Sequence, residues 1–196
     1  MIANLNSNPK PITSQLVKET YTYMQSVYGT TVISKTDSAF MGGISTFLST
    51  MGILDKAKFM SSYATTIDKV LYLPFTPGVA DNTWSLYSQL VIAVHEHQHV
   101  EQWITEGRWT FDSKYLLSKS ERARYETEAY RSTLEMSWLY QKRIPDTQAV
   151  ANALLQYGMD NSYVVAAKGS LDSAARMVKA GVVLNVATRT ALSVLV

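Results

Sequence analysis

The sequence predicts an α+β fold that is predominantly helical, with a small sheet. Three observations predict it. Most apolar residues recur at helical spacing, in segments bracketed by capping residues and glycines. One short stretch over 69–75, KVLYLPF, is instead β-branched, aromatic and apolar. No linker, repeat or low-complexity tract divides the 196 residues, so 1–196 is expected to form a single domain.

Each element has a local reason. Pro11 can open a helix through Val17 and Tyr23 that stops near Gly29, because proline suits a first turn and glycine a stop. A second apolar segment over 39–51 stops at Gly52, and Asp55 can cap a third helix through Phe59 and Tyr63. The 69–75 stretch is expected to be an edge strand, since Pro74 removes a ladder donor. Asn82 or Thr83 can then cap a long helix from Trp84 to about Gly107. Ser118 and Glu121 have capping-box spacing and open another long helix, to about Arg143. Asp146 restarts helix to Tyr157, stopped by Gly158, and Ser170 to Lys179 is helical up to Gly181. The last segment, rich in Thr and Val, fits helix or strand.

Composition excludes several classes. A formal charge of +2 offers no electrostatic case for a nucleic-acid partner. The absence of cysteine excludes thiolate metal sites, thiol nucleophiles and disulfides. No stretch approaches the roughly 18 uninterrupted apolar residues of a membrane span. The start, MIANLNSNPK, lacks a basic stretch followed by an apolar run. The expected location is therefore the cytoplasm, or an assembly such as a virion in which the chain is docked.

All three histidines fall in the run His95-Glu96-His97-Gln98-His99, which contains His-Glu-x-x-His on the long helix. Residues i and i+4 stack on one helical face, so the His95 and His99 imidazoles can reach one cation. Glu96 is turned about 100° away, where it can take a proton from a zinc-bound water. The bland alternative is a helix whose histidines are solvated or satisfied in the core. The apolar run Leu90-Val-Ile-Ala-Val94 buries the helix, and two buried histidines on one face need partners that a metal would supply. His97 points to the opposite side and is expected to be structural or solvated. Gln102 shares the ligand face and is a candidate either to support a ligand or to make an ordinary buried polar contact. Glu101 and Glu106 read as ordinary helix charges.

A catalytic zinc keeps three protein ligands and an open position. The third must come from elsewhere in the chain, and Glu126 and Glu128 lie firmly on the next long helix. They differ by about 200° around its axis, so only one can face the metal. Ala129 would let the two helices approach closely. Tyr130, Arg131 and Tyr163 are candidates to support a developing oxyanion.

The stretch over 64–143 resembles the gluzincin metallopeptidases, which combine His-Glu-x-x-His with a glutamate on a following helix. The resemblance implies a zincin-like fold in which an edge strand precedes the zinc helix and lines the cleft. It makes Glu126 the third Zn2+ ligand rather than Glu128. Tyr130 stands where the family has an aspartate supporting a histidine ligand. The implied activity is zinc-dependent hydrolysis of peptide bonds, in proteins or in the peptide stems of bacterial cell wall, with Glu96 as general base. The alternative is a structural or assembly component that keeps the fold with little or no turnover.

Overall fold

The computed structural model describes residues 4–35 and 64–196, and the expected helical segments over 39–51 and from Asp55 to Tyr63 lie outside them. Seven α-helices are described: α1 (Ser14–Tyr28), α2 (Leu86–Glu106), α3 (Arg108–Leu117), α4 (Lys119–Gln141), α5 (Thr147–Asn152), α6 (Asn161–Lys179) and α7 (Val186–Leu195). A 3-10 turn over Ala153–Tyr157 follows α5, and three strands, β1 (Thr31–Ser34), β2 (Thr65–Ile67) and β3 (Val70–Leu73), form one sheet. No described helix is long and apolar enough to cross a membrane.

The sheet corrects one expectation. The strand within 69–75 is central among the described strands, in the order β1-β3-β2. It pairs in parallel with β1, Thr31 opposite Val70, and antiparallel with β2, Thr65 opposite Tyr72. Pro74 lies one residue beyond the end of β3, so it removes no ladder donor. Leu71 and Leu73 are fully buried, as a central strand requires. Among the described strands the edges are β1 and β2, and β2 also precedes α2 and packs against it.

Helix boundaries shift where side-chain caps outcompete the residues first expected. Thr13, not Pro11, caps α1, its hydroxyl accepting from Leu16 N, and the helix ends on Gly29 in the left-handed region. Ser85, not Asn82 or Thr83, caps α2 by accepting from Ser88 N. Asp160 caps α6, which starts nine residues before Ser170 because Gly169 is accommodated inside it. Ser118 caps α4 as expected, accepting from Glu121 N, whereas the Glu121 carboxylate bonds Arg124 instead of closing the box. The final segment is helix, and α3 occupies a stretch with no expected element.

These elements wrap α2. It is contacted by α1, α3, α4, α7 and β2. Leu90, Ala93, Val94 and Val100 of α2 are fully buried against Val17 and Met24 of α1 and Ala187 and Ala191 of α7. Each large apolar side chain so buried contributes about 1.5–3 kcal/mol. The loop entering α2 is held by the fully buried Gln89, whose Oε1 accepts from Gly78 N at 2.8 Å and whose Nε2 donates to the Val79 carbonyl at 2.7 Å. Gly78 (φ 81°) lies so close to α1 that a Cβ would stand 2.7 Å from the Ser14 carbonyl oxygen. The start of α2, and with it the register of its histidines, is thus held by the Gln89 side chain and by the close approach of Gly78 to α1.

Candidate metal centre

Helices α2 and α4 bring His95, His99 and Glu126 together, and one ligand atom from each lies within 4.8 Å of the others. All three are buried, Glu126 at 1% exposure and the histidines at 6% and 8%. Ala129, three residues after Glu126 on α4, is fully buried. The Nε2 atoms of His95 and His99 stand 3.2 Å apart. Glu126 Oε2 is 3.7 Å from His95 Nε2, and Oε1 is 3.5 Å from His99 Nε2.

The tautomer of His99 follows from its neighbours. Its Nδ1 is 2.9 Å from Gln102 Oε1. Gln102 Nε2 donates at 3.0 Å to the Tyr125 carbonyl, which only accepts, so the amide orientation is set and Oε1 must face His99. Nδ1 therefore carries the proton and donates, which aims Nε2 at the cluster. Gln102 is the supporting residue its position on the helix suggested.

These residues fit a divalent cation. Two donors bound at about 2.0–2.1 Å to one tetrahedral ion lie roughly 3.3 Å apart, close to the separations found. Two imidazole nitrogens facing each other at 3.2 Å need a cation or a proton between them. Glu126 Oε2 is buried without a hydrogen-bond partner among the described residues, an arrangement that a cation would relieve. Without one, a proton takes its place. Burial alone would lower the His99 pKa, but the Glu126 carboxylate outweighs it and raises the imidazole. Burial likewise opposes ionisation of Glu126, yet His99 and His95 hold it below the usual carboxylate range.

The other predicted residues separate clearly. Glu96 is 5% exposed and its Oε2 accepts from Thr66 Oγ1 on β2 at 2.7 Å. Glu128 faces away from the cluster, accepting from Gln98 Nε2 at 2.9 Å, with Arg124 Nη1 at 4.0 Å. His97 is fully buried between Ala93 and Thr30: Nδ1 donates to the Ala93 carbonyl at 2.7 Å and Nε2 accepts from the Thr30 hydroxyl at 3.0 Å. Burial lowers its pKa to about 4, so it is neutral and structural. Tyr130 lies against His95, ring centroids 5.0 Å apart. Tyr163 packs partly buried against the apolar core, and the Arg131 charge acts on Glu135. On α2, Glu101 accepts from Thr105 Oγ1 at 3.5 Å. Glu106 is more than a surface charge, binding Lys114, Arg124 and the Tyr125 hydroxyl where α2, α3 and α4 meet.

Three neighbours of the site carried no motif. Tyr115 of α3 donates its hydroxyl to Glu126 Oε1. Burial and the Glu126 charge raise this phenol well above its ordinary value, so it stays protonated. Its signal was the i, i+4 aromatic pair Phe111 and Tyr115, masked because Gly107 caps α3 without a side-chain bond. Thr66 on the edge strand anchors Glu96. Lys35, fully buried just after β1, is lowered by burial to about 8, with the Glu96 charge acting in the opposite direction.

No known family model matches the sequence, and neither a curated protein nor a solved structure matches it significantly.

Proposed function

We propose that the chain is a zinc-dependent metallopeptidase acting on peptide bonds of proteins or of cell-wall peptides. The observation that carries this reading is a division of labour on one helix. His95 and His99 join Glu126 as cation donors, while the intervening Glu96 is excluded from that set and bonded to Thr66. A purely structural cation needs no such base beside it. A zinc ion held by these donors supplies Lewis acidity, bringing the pKa of water towards neutrality and polarising a scissile carbonyl.

The protein's own groups do the rest. Thr66 occupies Oε2 of Glu96, which leaves Oε1 to take the proton of the attacking water and return it to the leaving amine. Gln102 keeps the His99 Nδ1 protonated, so Nε2 stays available as a donor. Tyr130, its ring tilted against that of His95, is the candidate to support the developing oxyanion.

A specific observation favours a second reading. His95, Glu96, His99 and Glu126 are all at most 8% exposed, which suits a brace within an assembly component of little turnover, such as a virion protein. One experiment separates the two. Zinc-loaded wild type and Glu96→Gln are incubated with denatured protein and with cell-wall peptides, and new amino termini are mapped by mass spectrometry. Cleavage by wild type that the variant loses, with zinc retained, supports the peptidase. Zinc bound at full stoichiometry with no new termini favours the brace.

A further inference from the structure

Both Glu126 oxygens face the histidines, Oε1 at 3.5 Å from His99 Nε2, but only Oε2 lacks a hydrogen bond among the described residues. Oε1 accepts the Tyr115 hydroxyl, whereas Oε2 is buried with no hydrogen-bond partner among the described residues and lies 3.7 Å from His95 Nε2. The phenol is itself well fixed. Its ring packs on Phe111 at 5.7 Å and stacks on Tyr125 at 6.4 Å, and the Arg122 guanidinium lies 5.9 Å from its centre. Arg122 Nε also donates to the Tyr115 carbonyl at 2.8 Å, tying the end of α3 to α4.

We infer that Tyr115 is a positioning residue that makes Glu126 a one-oxygen ligand, holding Oε1 and presenting Oε2 to the cation. The inference rests on the metal-centre reading above and deepens it. A carboxylate free of such a bond can offer both oxygens to one ion. A two-oxygen Glu126 would fill the fourth position, and a catalytic zinc needs that position open. A rigid donor on the opposite oxygen prevents this. The donor is carried by α3, whereas the carboxylate it holds is on α4.

The test uses metal alone. Wild type and Tyr115→Phe are stripped, then titrated with Zn2+ against a chelator and with Co2+ under visible absorption, since four-coordinate Co2+ absorbs more strongly than five-coordinate. We expect Tyr115→Phe to bind Zn2+ about tenfold more weakly, the scale usual for a lost outer partner, and its Co2+ bands to weaken as the second oxygen joins. Co2+ bands identical to wild type overturn the inference, whatever the affinity. Should the variant fail to fold, the Zn2+-minus-apo infrared difference spectrum of wild type decides. A wide splitting of the carboxylate stretches supports one-oxygen binding, and a narrow splitting overturns it. Wild type that takes up neither ion removes the metal-centre reading itself, an outcome seen before any variant is compared.

Discussion

Gln102 Oε1 stands 2.9 Å from His99 Nδ1, and this one contact decides which nitrogen of the ring faces Glu126. Gln102 is one turn along α2 from His99, so the helix that carries the donor also carries the group that orients it. Gln102→Leu should keep the packing and lose the bond. Zinc affinity is expected to fall about 10–100-fold, as for other lost outer partners. Chelator competition reads this, and an affinity within twofold of wild type would show that the tautomer is set by something else.

Glu126 and Glu128 should respond oppositely to truncation. Glu126→Ala removes a donor from the buried cluster and is expected to abolish stoichiometric zinc uptake. Glu128→Ala removes only a bond to Gln98 and a 4.0 Å approach to Arg124, so its zinc content should match wild type. Element analysis of the dialysed proteins checks both, and the reverse pattern would reassign the ligand.

Thr66→Val is nearly isosteric and deletes the hydroxyl that holds Glu96. On the peptidase reading it should lower the rate about tenfold through misplacement of the base, with zinc content unchanged. Equal rates for variant and wild type would mean that Thr66 does not orient Glu96.

Glu135 carries a prediction about stability. Its carboxyl accepts from Leu184 N at 2.5 Å, Asn185 N at 3.1 Å and Thr188 Oγ1 at 2.5 Å, clamping the start of α7 to α4. Glu135→Ala leaves these buried donors unpaired and should cost roughly 3 kcal/mol in denaturant unfolding. Burial holds this carboxyl at about 7 against its three hydrogen bonds, compared with an ordinary 4.5. Between those values the folded chain keeps a proton that the unfolded chain has lost. Stability relative to Glu135→Gln should therefore fall as pH rises from 4.5 to 7, by up to about 1.4 kcal/mol per unit. A difference that is flat across this window would place the carboxyl at its ordinary value.

Much of this arrangement was legible in the residues, for particular reasons. The His95–His99 face, the exclusion of His97 and the support by Gln102 all follow from the 3.6-residue turn, which is a local property. Helix geometry separated Glu126 from Glu128 and a resemblance chose between them, while the crossing of α2 and α4 is what places Glu126 beside the histidines. Tyr115 and Thr66 were invisible because each meets the site across a tertiary contact, one from a helix with no cap signal and one from a three-residue strand. The reversal of edge and centre in the sheet has the same origin. Pro74 looked like part of the strand, and only the pairing of β3 with both neighbours shows that the strand stops before it.

His95, His99 and Glu126 are proposed to hold one divalent cation between α2 and α4. Element-specific mass spectrometry of the purified chain, dialysed against zinc and then against buffer at neutral pH, tests it most directly. One zinc per wild-type chain is expected, and less than about a tenth of that in His99→Ala, with His97→Ala retaining its zinc. Wild type without zinc, or His99→Ala with as much as wild type, would contradict it.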